Sequence, residues 1–111
     1  MTDQRNAEKI KRILTDPKLS GIKAMLEKDH AIDCLFLLYM NRGKWTAAKG
    51  FMDGNKLTLS DGTYRARMIE IEALGLAKSE RIDIRRKRYE KTELGTTVAK
   101  LLLKLFDELA V

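Results

Sequence analysis

The stretch from Ser60 to Gly95, SDGTYRARMIEIEALGLAKSERIDIRRKRYEKTELG, limits what this chain can fold into more than any other. Its first part carries apolar residues at Tyr64, Met68, Ile71 and Leu74. Steps of four, three and three put them on one face of a helix. Gly75 follows, where a helix C-terminus favours a residue that accepts positive φ. A basic segment with β-branched alternation comes next, and the pattern turns helical again near Thr92 and Gly95.

The residues around Asp61-Gly62 also fit a hairpin, because LTLSDGTYRAR alternates about a favoured turn pair. That alternation fails midway. As a strand, Tyr64, Ala66 and Met68 share a face that Glu70 and Glu72 then join, while Ile69 and Ile71 switch to the other. The helical pattern runs unbroken to Leu74. We therefore expect Ser60 or Asp61 as N-cap and a helix over 62–74. Leu57–Leu59 remains open to a short strand that would pair with the later sheet.

The rest of the chain reads mostly as helix. Residues 2–15 predict a first helix, capped by Thr2 or Asp3, with a thin stripe of Ile10, Ile13 and Leu14. Asp16-Pro17 breaks it, since the residue before proline avoids helical angles. Pro17 then opens a short helix through Ile22, Met25 and Leu26, with Ser20 as an alternative cap. Asp29–Asn41 is the most hydrophobic segment, so it predicts a central helix packed on several sides. Asp29 is its expected cap, Ile32, Leu35, Phe36, Leu38 and Tyr39 its apolar face, and Arg42-Gly43 its end. A buried strand is the competing description of so apolar a run.

Lys44–Asn55 predicts a short helix with Thr46 as cap and Ala47, Ala48, Phe51 and Met52 inward. Leu76–Lys91 predicts a two-stranded ribbon, Ile82 and Ile84 alternating with charges, its tip within about 82–87. Thr96–Leu109 predicts a last helix with a stripe of Val98, Leu101, Leu102, Leu105, Phe106 and Leu109. Helix, glycine, basic ribbon, helix is the order of a winged helix-turn-helix. The expected fold class is therefore mainly α with a small β-ribbon, a winged helix with additional N- and C-terminal helices. Its 111 residues suit one domain. The winged-helix core is expected over about 29–95, with an N-terminal helical extension over 1–28 and a C-terminal helix over 96–111.

Charge points to the partner. The chain carries 22 Lys and Arg against 16 Asp and Glu, a net +6. A basic domain of this size suits a polyanion, most often nucleic acid. The distribution sharpens that. Residues 42–67 hold six cations and two acids, and residues 78–91 seven and three, so each block is +4 and the remainder of the chain is −2. The positive blocks flank the 62–74 helix. The single cysteine, Cys34, allows no intrachain disulfide, and its apolar setting suits a buried thiol in a reducing compartment. TDQRNAEKIKR lacks a signal peptide's apolar stretch, and Ala31–Met40 is too short to span a bilayer. A cytoplasmic protein with no membrane partner is expected.

Two passages carry a family resemblance. Ile71-Glu72-Ala73-Leu74-Gly75-Leu76 resembles the Leu-x-x-x-Gly-Leu passage between recognition helix and wing in MarR-type regulators and related archaeal winged-helix proteins. Tyr89-x-Lys91-Thr92-x-x-Gly95 is similar to their passage from the second wing strand into the next helix. The resemblance covers roughly residues 30–105. Lys91 departs from the usual leucine, and the connection Asp53–Leu59 is longer than a tight turn. The resemblance implies a DNA-binding transcriptional regulator.

The residues support that independently. With Tyr64, Met68, Ile71 and Leu74 inward, Thr63, Arg65, Ala66 and Arg67 are expected outward. Arginine reads guanine bidentately, and threonine contacts a base or phosphate. Arg85, Arg86, Lys87 and Arg88 gather at the wing tip, suited to phosphates or the minor groove. Lys44 opens the preceding helix, where a backbone clamp fits. Ordinary solvated charge is the plain alternative for each. His30 and Cys34 are four apart, but two ligands make no metal site. No phosphate-binding glycine loop or acid–base pair stands out, so no enzyme, metal or cofactor is expected. The expected partner is double-stranded DNA, read by a homodimer joined through its terminal helices. A protein-interaction scaffold, or an RNA-binding or replication-initiation module, are the competing functions.

Overall fold

The computed structural model describes residues 2–110, the side chain of Thr2 excepted. The order is α1 (Thr2–Thr15), α2 (Pro17–Leu26), α3 (Ala31–Tyr39), α4 (Trp45–Asp53), α5 (Asp61–Ala73), β1 (Ala77–Arg81), β2 (Lys87–Lys91) and α6 (Glu93–Leu109). This is the expected mainly helical winged helix with a two-stranded antiparallel wing.

Side-chain chemistry sets the helix ends, and several caps differ from expectation. Thr2, one expected cap of α1, is outside the described side chains, and Asp3 lies inside the first turn. Asp16 (φ −73°, ψ 123°) takes the extended geometry that a following proline imposes, and its carboxylate accepts from Leu19 N at 2.9 Å. Pro17 thus sits at the first helical position, and Ser20 is inside α2 rather than capping it. The cap of α3 is His30, in the left-handed region at φ 62°, and not Asp29. Its ring compensates locally, with Nδ1 2.8 Å from Asp33 Oδ2. α3 buries Ala31, Cys34, Leu35, Leu37 and Leu38. Ile32, Phe36 and Tyr39 of the expected face are only half-buried, because the inner side of this helix is centred on Cys34 and Leu38.

The end of α3 falls at Met40, with Asn41 at φ 61°, ahead of the expected Arg42-Gly43. Gly43 serves another purpose. A Cβ there would fall 1.8 Å from the carbonyl oxygen of Tyr89, so glycine alone lets this backbone lie against β2. Tyr89 N donates to Gly43 O at 2.8 Å across that approach. α4 starts from Lys44 without a side-chain cap; Thr46 is inside it. Ala48 and Met52 are buried, Phe51 packs against the core, and Ala47 is half-buried.

α5 matches expectation closely. Ser60 Oγ accepts from Thr63 N at 3.1 Å, Gly75 takes φ +82°, and Tyr64, Met68 and Ile71 are buried. The hairpin at Asp61-Gly62 does not form. Nor does a strand over Leu57–Leu59; among the described residues the sheet holds β1 and β2 alone, and Leu57 and Leu59 instead pack partly on the core. The wing pairs Ala77 with Lys91, Ser79 with Tyr89 and Arg81 with Lys87. The turn spans residues 82–86, inside the range expected for the tip, so Ile82 and Ile84 lie in it rather than in a strand. Asp83 explains the turn without glycine or proline: its Oδ1 accepts from the backbone N–H of Arg85 and of Arg86, both at 2.9 Å.

α6 begins three residues before expectation, capped by Thr92, whose Oγ1 accepts from Gly95 N at 3.1 Å. Thr92 also ties the wing's two ends together. Its hydroxyl donates to Gly75 O at 2.7 Å, and its N–H donates to Leu76 O at 3.1 Å. A Cβ on Gly95 would fall 1.9 Å from Leu76 O. The two passages that carry the family resemblance are therefore one contact in space. Lys91, their odd member, donates from Nζ to Asn41 Oδ1 at 2.8 Å and lies 5.8 Å from the Tyr39 ring centre. The core beneath is formed by Leu35, Leu37, Leu38, Met68, Ile71 and Leu76.

Candidate nucleic-acid interface

The buried residues of α5 fix its rotation. With Tyr64, Met68 and Ile71 inward, ~100° per residue brings Asp61, Arg65 and Ile69 to the side facing the wing. There an open groove of about 530 Å³ runs between the start of α4, the outer side of α5 and the turn of the wing. Lys44 and Trp45 line it from α4, and Arg65 and Ile69 from α5. Arg81, Arg85, Arg86 and Lys87 line it from the wing. Cations from three elements far apart in sequence thus meet on one surface.

Their charges are unequally matched. Arg65 Nε lies 3.1 Å from Asp61 Oδ1, and Arg86 Nε lies 3.4 Å from Asp83 Oδ2, both pairs exposed. Exposed pairs of this kind are weak and yield readily to a phosphate. Lys44, Arg85 and Lys87 form no ion pair among the described residues. The backbone N–H of Arg85 holds the Asp83 carboxyl below its usual range, helped by Arg86 and by the Lys44 charge. At neutral pH Asp83 is therefore ionised and the turn is closed.

Five of the eight expected contact residues come together in this groove: Lys44, Arg65, Arg85, Arg86 and Lys87. Arg88 does not. It lies on the other side of the wing with Lys91 and Thr92, paired with Glu80 and 3.9 Å from Glu90. Thr63 is half-buried and engaged with its own cap, Ser60 Oγ donating to Thr63 Oγ1 at 3.0 Å. Arg67 does not point outward. Its side chain is 16% exposed, with Nε 2.8 Å from Glu70 Oε1, and Glu70 in turn meets Lys28 in the link after α2. The helical phase carries this signal: Arg67 falls between Ile71 and Leu74 on the wheel.

Sequence reasoning passed over Arg81 and Ile69. Arg81 Nη1 donates to Ile84 O at 2.8 Å while its head lines the groove. Ile69 is 57% exposed in the middle of the cationic surface. Its position one turn beyond Arg65 on α5 is the signal that could have found it. Trp45 is both core and surface: its ring stacks at a tilt on Tyr64, centroids 5.1 Å apart, and its edge borders the groove. Tyr64 donates its hydroxyl to Arg42 O at 3.2 Å, and burial holds its pKa well above the ordinary phenol value. Cys34, under α5, is fully buried, and burial pushes its thiol up to about 12. No group of three potential metal ligands occurs among the described residues.

The fold has counterparts among solved structures. The chain is similar to MepR, a MarR-family winged-helix regulator from S. aureus, solved as a complex with DNA. The TM-score is 0.57 at 15% sequence identity, over 98% of this chain and 85% of that one. A point mutant of MepR from a multidrug-resistant S. aureus clinical isolate gives 0.54 at 16%, over 99% and 79%. At such identities the likeness shows the fold, a MarR-like winged helix. No protein-family model and no curated protein sequence matches the chain.

Proposed function

We propose that this protein is a double-stranded DNA-binding transcriptional regulator, with α5 in the major groove and the wing on the backbone or minor groove. One observation carries the proposal. Lys44, Arg65, Arg81, Arg85, Arg86 and Lys87, from three separate elements, face one groove along the outer side of α5. A duplex is a polyanion, and clustered cations bind it by releasing its counterions. The likeness to a protein solved with DNA supports the same conclusion. Within this site Arg65 is the base-reading residue. Lys44, Arg85 and Lys87 are phosphate contacts, and Arg88, matched by two carboxylates, contributes less. We assign Arg67 to holding α5 against the α2–α3 link, through Glu70 and Lys28, rather than to DNA.

We further propose that the working form is a homodimer. α1 is exposed along its whole length from Asp3 to Thr15, including Ile10, Ile13 and Leu14. Isolated helices of that length are marginal in water. Leu101, Leu105, Phe106 and Leu109 of α6 are exposed as well. A second copy covering both would stabilise α1 and set two α5 helices apart for successive major grooves. In this scheme residues 29–95 read DNA, and α1, α2 and α6 join the subunits. The protein works in the cytoplasm and needs no cofactor for binding. Among the described residues no helix is long and apolar enough to cross a membrane. The test is a salt-dependent binding titration with duplex, single-stranded DNA and structured RNA. Duplex is expected to bind tightest; equal binding to all three, or none to duplex at low salt, refutes the proposal.

A further inference from the structure

We infer that Ile84, at the turn of the wing, is an apolar wedge that enters the minor groove between base steps and kinks the duplex. The inference rests on the DNA-binding proposal above and adds a mechanism to it. Ile84 is 88% exposed, more than any other large apolar side chain described. A lone exposed isoleucine means little by itself. Its mounting and its surroundings set this one apart.

The mounting is hydrogen-bonded. Asp83 Oδ1 accepts from Arg85 N and Arg86 N at 2.9 Å, Ile82 N donates to Arg86 O at 3.0 Å, and Arg81 Nη1 donates to Ile84 O at 2.8 Å. The carbonyl of Ile84 and the peptides after it are tied down, while its side chain stands in solvent. A β-branched side chain also has little χ1 freedom to lose. The turn is mainly cationic: Arg81, Arg85, Arg86 and Lys87 stand on it beside the one carboxylate of Asp83, which pairs with Arg86, and Arg85 and Lys87 form no ion pair among the described residues.

An apolar point on a turn of net positive charge fits a target that is anionic outside and apolar within. The minor groove is such a target, since its potential attracts arginine and its base steps admit isoleucine wedges. An anionic lipid surface shares that chemistry. DNA is favoured because the neighbours of Ile84 on the turn, Arg81, Arg85, Arg86 and Lys87, line one groove with Arg65 of α5, so a duplex seated on α5 meets the turn that carries Ile84. Unstacking is easiest at TA and CA/TG steps. The wing would therefore read deformability, a preference for such a step beside the site that α5 reads.

The experiment uses the full chain and a duplex that it selects from a random pool, end-labelled to report bending. Ile84→Ala, Ile84→Leu and Arg85→Ala are compared with the parent protein over a range of salt. The parent is expected to bend the duplex by roughly 20–90°. Ile84→Ala should straighten it and weaken binding roughly tenfold, with the salt slope unchanged, because no charge is lost. Ile84→Leu should keep the bend. Arg85→Ala should keep the bend and lower the salt slope by about 1. Replacing a TA step under the wing by GC should penalise the parent and not Ile84→Ala. Equal bending by the parent and Ile84→Ala overturns the inference. So does an Ile84 dependence seen only with phosphatidylserine vesicles. If the pool yields no duplex, the DNA-binding proposal itself fails.

Discussion

At the residue scale, two glycines serve close approach and one serves chain direction. Gly43 and Gly95 each leave room for a carbonyl, of Tyr89 and of Leu76, that a Cβ would strike at 1.8 and 1.9 Å. Gly95→Ala must therefore shift backbone and should destabilise the fold by about 1–3 kcal/mol in denaturant melts. Gly50, with open space around it, should tolerate alanine without such a loss. Cys34 gives a pH prediction. Its thiol stays neutral in the fold up to about 12, against an ordinary value of 9.0. Above pH 9.0 the unfolded chain releases this proton and the folded one does not. Stability that is complete below that pH should decline from there toward about 12, and Cys34→Ala should flatten the decline. Some of this was legible in the sequence. The burial of Cys34 followed from its apolar run. Gly95 stood out only as a motif position, since the carbonyl it accommodates lies 19 residues earlier at Leu76. Left-handed His30 was not legible, because Asp29 is the stronger cap former.

At the element scale, α5 was the most readable part. One stripe of Tyr64, Met68, Ile71 and Leu74 set its extent and rotation, and Ser60 and Gly75 set its ends. Arg67 departs from its expected outward place because its angle on the helix, rather than its charge, decides where it points. The wing's existence was legible in its alternation, and its tip as a range, 82–87, but not what makes the turn. Asp83, rather than glycine or proline, makes the turn, with Ile82 and Ile84 on either side of it. This yields a prediction for the wing alone. Asp83 has a lowered pKa, so the ordering it supplies is present above the ordinary carboxylate range and lost as pH falls through its own value. Amide exchange at Arg85 and Arg86 should rise at acid pH, and Asp83→Ala should give the same rise at neutral pH. Unchanged exchange in that variant would contradict the turn's assigned cause.

At the scale of the whole molecule, the single chain leaves two apolar stripes without cover. Its extents are 53 × 34 × 22 Å and its radius of gyration is 15.5 Å. A compact domain of this length would have a radius of about 13 Å. The excess is in keeping with α1, a helix without cover along its described length. The apolar stripe of α6 was legible in the sequence, but not whether α1 would cover it. α1 leaves much of it exposed and is itself exposed. The proposed dimer predicts that Ile13→Glu together with Leu105→Glu gives a monomer in sedimentation and a frayed α1 by circular dichroism. A wild-type protein that sediments as a monomer at the concentrations used for DNA binding would refute it.

The central claim is that the groove between α4, α5 and the wing holds a duplex. Duplex affinity measured against salt for the parent, for Arg85→Ala with Lys87→Ala, and for Arg88→Ala tests it most directly. The claim predicts a slope that falls by about 2 for the double variant and much less for Arg88→Ala, whose charge Glu80 and Glu90 already match. Identical slopes for the parent and the double variant, or a larger loss from Arg88→Ala, would contradict it.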